Sequence, residues 1–123
     1  MQINDLKNLP VYISGPITGR EHPGIPFMHG ENLLIKLGFK ECLIFNPFYH
    51  CWFYDETRWT HCMAMVLEHM PHEGILCRLP GWRGSPGARI ENYYAKIHKL
   101  VICDIVGNTL KLADDYFDTG TPE

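Results

Sequence analysis

The sequence predicts an α/β protein with a doubly wound, mainly parallel sheet of four to five strands. Short apolar runs alternate with segments whose apolar residues recur at helical spacing, an order typical of strand–helix–strand units. Glycine, proline and asparagine follow the apolar runs, where a strand would end and a loop begin. No internal repeat, low-complexity segment or linker divides the chain, so we expect one domain over residues 1–123.

Turn residues mark where the elements end. Gly15-Pro16 follows the first strand, and Asn46-Pro47 closes the second because proline cannot donate to a strand ladder. Gly38 and Pro71 end the first two helices. The predicted strands are residues 10–14, 42–45, 73–79 and 100–106, and the predicted helices are residues 26–37, 57–70 and 86–98.

The predicted helices carry apolar residues at helical spacing. In the third helix, Ile90, Tyr94 and Ile97 are expected to face the core. The corresponding residues of the first two helices are Phe27, Leu33, Leu34 and Leu37, and then Trp59, Met63, Val66 and Met70.

The composition of the chain excludes several classes of protein. The chain has 123 residues, 46% of them hydrophobic, which suffices for one core. With a net charge of -3, the chain lacks the excess of lysine and arginine that is typical of proteins that bind duplex nucleic acid. No apolar run is long enough to span a bilayer. The first residues lack the build of a signal peptide. The five cysteines have no short paired spacing, and Cys42, Cys77 and Cys103 fall in apolar runs, which favours buried reduced thiols in a cytoplasmic protein.

The most informative motif is the glycine-rich turn after the third strand, LPGWRGSPGARIE. Ser85 is a good N-cap and Pro86 fits the first helical position, so the helix start offers free amides and a positive dipole end to an anion. Glu91 would lie above Gly87 and Ala88, and we expect its carboxylate to stand open over this anion site. The alternative is a solvated surface glutamate after an ordinary capped turn.

The three turns after the first three strands are expected to share one edge. Ligands of doubly wound sheets bind beyond the carboxyl ends of the strands. Gly15-Pro16, Asn46-Pro47 and the turn from Gly81 to Ser85 would all lie there. This edge is therefore the predicted site.

These turns also carry a resemblance. VYISGPITGR, NP after the second strand and LPGWRGSPGARIE together resemble the nucleoside 2-deoxyribosyltransferase-like superfamily, and within it the phage and bacterial group DUF4406. The match runs from Pro10 to Val106 with the motifs in order. The resemblance implies a flavodoxin-like fold, homo-oligomers, and cleavage or exchange of the N-glycosidic bond of 2-deoxynucleosides or their 5'-monophosphates. No cofactor is expected.

The resemblance also implies residue roles. Glu91 matches the nucleophilic glutamate, and Tyr12 matches a tyrosine that lies beside the sugar. The implied substrate-binding residues are Gly15, Arg20, Asn46, Gly81, Trp82, Ser85 and Gly87, with Ser85 at the position that binds a 5'-phosphate. A carboxylate suits this chemistry because breaking the bond builds positive charge on the sugar, which the carboxylate stabilises or traps covalently.

The chain departs from the pattern in its second catalytic group, which must protonate the departing base. The positions where relatives carry aspartates fall at about Val66 and Gly74, and neither residue can donate a proton. The candidates at neighbouring positions are Glu73, Glu68, His61 and His69.

Three further clusters of side chains are candidates for a role. The scattered His/Cys set from His50 to Cys77 lacks metal-ligand spacing, so no metal is expected. The aromatic stretch from Phe48 to Trp59 either stacks a nucleobase or covers the core or a subunit interface. Asp114, Asp115 and Asp118 are interpreted as a solvated acidic tail.

The sequence thus predicts a small-molecule enzyme that hydrolyses or transfers the glycosidic bond of a nucleoside or nucleotide. The alternative is a nucleotide-binding protein without turnover, such as a phage accessory or regulatory protein. Neither a nucleic acid duplex nor a membrane is an expected partner.

Overall fold

The computed structural model of the chain describes residues 3–17, 21–22, 24–48, 67–68 and 73–113. These residues form a five-stranded sheet with the order β2-β1-β3-β4-β5. The strands are β1 (Val11–Ser14), β2 (Ile44–Phe45), β3 (Ile75–Arg78), β4 (Val101–Val106) and β5 (Thr109–Leu112). The first four are parallel and β5 is antiparallel to β4, so the predicted small flavodoxin-like α/β fold is confirmed.

Two helices cover opposite faces of the sheet. Helix α1 (Gly24–Lys36) packs through Phe27, Leu33 and Leu34 on the face formed by Val11, Ile75 and their neighbours. Helix α2 (Pro86–Ile97) contributes Ala95 to a smaller core on the other face. The predicted helix 57–70 lies outside the described residues, apart from two helical residues at 67 and 68.

Both helices end through local hydrogen bonds. After α1, the Phe39 amide donates to the Leu34 carbonyl across Gly38, whose φ is 102°. After α2, the Leu100 amide donates to the Ala95 carbonyl across Lys99, whose φ is 58°. Both are Schellman closures, which place a residue of left-handed conformation just beyond the helix. Glycine meets this requirement without strain, whereas lysine does not.

The second predicted strand is wrong in its first half. Residues 41–43 form a 3-10 turn, closed by the Leu43 amide bonding to the Lys40 carbonyl at 2.9 Å, and only Ile44–Phe45 pair with β1. Cys42 is consequently exposed, which contradicts the buried thiol expected there. Cys77 and Cys103 are buried as predicted, and burial raises the pKa of both thiols.

The predicted core stripe of α2 is wrong at two of its three residues, whereas Tyr94 is partly buried and packs against the smaller core. Ile90 and Ile97 are 40% and 57% exposed, whereas the residues that face the sheet are Ala88, Glu91, Asn92 and Ala95. The two alanines leave room for the helix to approach the sheet closely. The two polar side chains are buried because polar groups of the strands bind them, as described next.

Candidate functional site

The candidate site lies where the strand order reverses. In a sheet of order 2-1-3-4-5 the reversal falls between the first and third strands, and ligands bind beyond the carboxyl ends there. Gly15 follows β1, Asn46 follows β2 and Pro80-Gly81 follows β3, and these three strands are parallel. The prediction that the three turns share one edge is therefore confirmed.

Glu91 is buried at this place rather than open over the helix start. Its side chain is turned toward β1, and the residue is 5% exposed. The Tyr12 hydroxyl donates to Oε2, and the Ser14 hydroxyl donates to Oε1 at 2.7 Å. The open carboxylate expected from the sequence is thus corrected: small residues below Glu91 do not expose it, because two strand hydroxyls draw it inward.

Burial dominates the electrostatics of this carboxyl. Removal from water raises the pKa of Glu91 from 4.5 to about 7, although the hydrogen bonds from Tyr12 and Ser14 act in the opposite direction. Burial and the nearby Glu91 charge raise the pKa of Tyr12 well above its usual value, so the phenol stays protonated. The cluster therefore holds a carboxyl that changes its charge near neutral pH between two hydroxyl donors.

A second polar group borders the first. Ser14, Arg78 and Asp104 are register partners across β1, β3 and β4 and face α2. The Arg78 guanidinium donates through Nε and Nη2 to the two Asp104 carboxylate oxygens at 2.6 and 2.9 Å, and through Nη1 to Asn92 Oδ1 at 3.0 Å. Arg78 is only 2% exposed, so this network fixes α2 over the sheet one residue from Glu91.

The turn after β3 begins with Gly81, in the left-handed conformation at φ 83°. Trp82 follows it, and its ring lies 4.2 Å from the guanidinium carbon of Arg78 and 4.8 Å from that of Arg83. These are cation–π distances, and they hold the indole at the edge of the site.

The start of α2 matches the prediction. Ser85 is the N-cap and accepts a hydrogen bond from the Ala88 amide at 3.3 Å, and Pro86 opens the helix. Gly87, in the first turn, carries no side chain to cover the amides there. The helix therefore presents its positive end at the same edge as Glu91.

The remaining predicted binding residues differ in their surroundings. Gly15 is buried, and a Cβ there would lie 2.8 Å from the Leu79 side chain. Asn46 accepts from the Phe48 amide at 3.0 Å and donates to the Phe27 carbonyl, so its amide shapes the loop after β2. Arg20 lies outside the described residues.

Two of the cavities lined by described residues open at this edge. One of about 400 Å³ is lined by Gly24, Asn46 and Phe48, among others. Phe48 stacks on Phe27 at 6.1 Å, and the predicted aromatic residues that follow it lie outside the described residues. The other cavity, of about 430 Å³, is lined by Arg78, Asp104 and neighbouring residues.

The structure describes three of the positions considered for protonating a departing base, residues 68, 73 and 74. Gly74 is at the amino end of β3, and a Cβ there would lie 2.4 Å from the Pro10 carbonyl oxygen, so no side chain fits. Glu73 precedes it and is exposed, which puts it at the edge opposite Ser14 and Arg78. Glu68 is exposed, and His61 and His69 lie outside the described residues.

Sequence reasoning missed Ser14, Arg78, Asn92 and Asp104 as parts of the site. Two signals in the sequence were available. Side chains of a strand alternate between its two faces, so Tyr12 and Ser14 share one face, and Arg78 interrupts an otherwise apolar strand. Asp104 is likewise the acidic residue of an apolar run. A charged residue in such a strand needs a buried partner.

None of the described helices is long and apolar enough to cross a membrane. Across the described ranges, no group of three or more His, Cys, Asp or Glu side chains is placed to hold a metal ion.

Fold and site together define a small α/β protein with a buried carboxyl at the switch point of its sheet. The family model of DUF4406, a domain of unknown function, matches residues 9–104, and the chain belongs to this family. Comparisons with curated proteins and with solved structures found no match.

Proposed function

We propose that this protein hydrolyses or transfers the N-glycosidic bond of a nucleoside or nucleotide, with Glu91 as nucleophile. The observation that carries the proposal is the Glu91 carboxyl, buried at the switch point and held by the hydroxyls of Tyr12 and Ser14. The likeness of the sequence motifs to nucleoside 2-deoxyribosyltransferases supports the same chemistry.

In the proposed reaction, a Glu91 oxygen forms a bond to the anomeric carbon while the bond from that carbon to the base nitrogen breaks. The departing base takes up a proton, and water or a second base then releases the sugar from the carboxyl. Burial supports this role, since a poorly solvated carboxylate interacts strongly with the positive charge that develops on the sugar. Tyr12 and Ser14 would fix the carboxylate without neutralising it.

We further propose that the substrate is a 5'-monophosphate. The capped start of α2 supports this, because its first-turn amides and dipole favour an anion. Arg20, by the resemblance, would contribute a charge-assisted bond to the same phosphate.

The second candidate is nucleotide binding without turnover. It is favoured by the position of Glu91, whose two oxygens both accept hydrogen bonds within the protein. It is also favoured by the residues considered for protonating the base. Gly74 has no side chain, and Glu73 lies at the opposite edge of the sheet. In this case Glu91 would only shape the pocket.

The test is incubation with a panel of deoxynucleosides and their monophosphates, with release of free base as the measurement. We expect base release from a monophosphate, reduced by orders of magnitude in Glu91→Gln, which keeps the size of the side chain and can still bond both hydroxyls. Glu73→Gln is the matched control, because it removes an exposed carboxylate at the opposite edge. Base release by a folded Glu91→Gln protein at the normal rate would contradict the nucleophile. Binding of a monophosphate without any release would favour the second candidate.

We also propose that the chain forms homo-oligomers. Ile25, Met28 and Ile35 are 58%, 53% and 37% exposed on one side of α1. An exposed apolar patch of this kind is typical of an association surface. Sedimentation equilibrium should give a mass above that of one chain, and Met28→Lys should lower it.

The buried thiols of Cys77 and Cys103 support a reducing, cytoplasmic location.

A further inference from the structure

Helix α2 meets the sheet mainly through small and polar side chains. Its buried residues are Ala88, Glu91, Asn92 and Ala95, and the half-buried ring of Tyr94 packs beside them. Alanine side chains end at Cβ, so they do not insert between the side chains of a sheet and do little to fix the rotation of a helix. The rotation of α2 about its axis therefore depends largely on the hydrogen bonds of Glu91 and Asn92.

These two neighbouring residues are bonded to two neighbouring strands. Glu91 Oε1 accepts from the Ser14 hydroxyl of β1 at 2.7 Å, and Asn92 Oδ1 accepts from Nη1 of Arg78 of β3 at 3.0 Å. Ser14 and Arg78 are register partners, so the two donors come from adjacent positions of the sheet. Successive helix residues are separated by about 100° around the axis, so the two bonds together restrict the rotation of α2 more than either bond alone.

The Arg78 side chain is itself held in place. Its Nε and Nη2 donate to the two Asp104 carboxylate oxygens at 2.6 and 2.9 Å, which fixes the plane of the guanidinium. The Trp82 ring lies 4.2 Å from the guanidinium carbon, and Arg78 is 2% exposed. Asn92 is therefore bonded to a donor whose position is set by β4 and by the turn after β3.

We propose that Asn92 is a positioning residue for Glu91. Through its bond to Arg78, Asn92 holds α2 at the rotation that keeps the Glu91 carboxyl against β1. Side chains reach about 5–6 Å from a helix axis, so a rotation of about 10° would move this carboxyl by about 1 Å. The inference rests on the proposed function, in which a Glu91 oxygen attacks the sugar, and a displacement of about 1 Å can slow such a step by about 100-fold.

The pKa of Glu91 reports the position of its carboxyl without any turnover. Burial raises this pKa to about 7. Asn92→Ala removes the acceptor of Arg78 Nη1 but no charged group, and it leaves Tyr12 on β1, Arg78 on β3 and Asp104 on β4 in the chain. When α2 turns, water reaches the carboxyl, and its pKa falls toward 4.5.

A carbon-detected titration of the Glu91 side chain in the full chain tests the proposal. We expect Asn92→Ala to lower the pKa of Glu91 from about 7 to about 6 or below. Base release from a monophosphate should fall roughly 10- to 100-fold in kcat with KM unchanged, because the substrate still binds. Asn92→Asp keeps an acceptor for Arg78 and should hold the pKa of Glu91 at about 7 or above.

Asn32→Ala is the matched control, because it makes the same replacement at an exposed residue of α1, and it should change neither quantity. A folded Asn92→Ala protein in which the pKa of Glu91 stays at about 7 would overturn the proposal. If Asn92→Ala does not fold, Asn92→Gln takes its place. It displaces the acceptor by one carbon and should lower the same pKa, and an unchanged pKa there would overturn the proposal too.

The two readouts separate this inference from the proposed function. A wild-type protein that releases no base from any nucleotide would contradict the proposed function alone. The pKa of Glu91 in Asn92→Ala would still decide whether Asn92 positions the carboxyl: a lowered pKa supports the positioning, and an unchanged one overturns it.

Discussion

The pH dependence of the free energy of unfolding should reveal the raised pKa of the buried Glu91 carboxyl. This test needs no assumption about catalytic activity. In Glu91→Gln the side chain keeps its size, its carbonyl oxygen accepts from one hydroxyl, and its amide donates to the other. The substitution therefore removes the titration of Glu91 while both Tyr12 and Ser14 keep a partner. Any pH dependence that differs between the two proteins belongs to this carboxyl.

The sign and size follow from the pKa values. Burial raises the pKa of Glu91 from 4.5 to about 7, so the folded state holds the proton over a range in which the unfolded chain has lost it. The stabilising contribution of Glu91 is fully present below pH 4.5 and is lost as the pH rises through about 7. Between about pH 5 and about pH 8 the wild-type protein should lose roughly 2–3 kcal/mol relative to Glu91→Gln.

Urea unfolding of both proteins at a series of pH values measures this difference, since other titrating groups cancel in the comparison. Glu73→Gln is the control, because it makes the same isosteric replacement at an exposed residue on the opposite edge of the sheet. A difference between wild type and Glu91→Gln that stays constant from about pH 5 to about pH 8 would refute the reasoning, because the carboxyl would then titrate alike in both states.

Three other substitutions test the surroundings of the site. Ser14→Ala removes one of the two donors to Glu91, so the pKa of that carboxyl should rise; a carbon-detected titration of the side chain measures it, and an unchanged pKa would contradict the 2.7 Å hydrogen bond. Asp104→Asn removes the carboxylate that pairs with the buried Arg78 guanidinium and should lower the free energy of unfolding by about 3 kcal/mol in urea, whereas a loss near zero would mean that the pair is solvated. Lys99→Gly should raise the same free energy by about 1 kcal/mol, because lysine is strained at φ 58°; a destabilised variant would show that the Lys99 side chain matters more than its backbone.

Much of the fold was predictable because its signals are local. Gly38 ends α1, Ser85 and Pro86 open α2, and the apolar runs at β1, β3 and β4 lie within a residue or two of the observed strands. Each depends on backbone chemistry within a few residues. The position of β5 was not predicted from the sequence. Strand β2 is shorter than predicted, because its pairing depends on residues distant in the chain, Val11–Tyr12.

The site was predictable in its residues more than in its arrangement. Glu91 and Tyr12 were both selected, but nothing in the motif indicated that they touch, since they lie 79 positions apart. Ser14 was passed over although it shares a strand face with Tyr12. Ile90 and Ile97 were assigned to the core because apolar spacing alone does not say which side of α2 the sheet will take.

The sequence by itself determined the class of fold, the edge on which the turns meet and the capped start of α2, because these follow from local conformational preferences and from the geometry of parallel strands. Only the tertiary structure decided which side of α2 is buried. That choice brought Glu91 and Asn92 against Ser14 and Arg78, since hydrogen bonds and an ion pair from the strands offset the cost of burying polar groups. The charge state of Glu91 near neutral pH is a consequence of that burial, and no pattern along the chain encodes it.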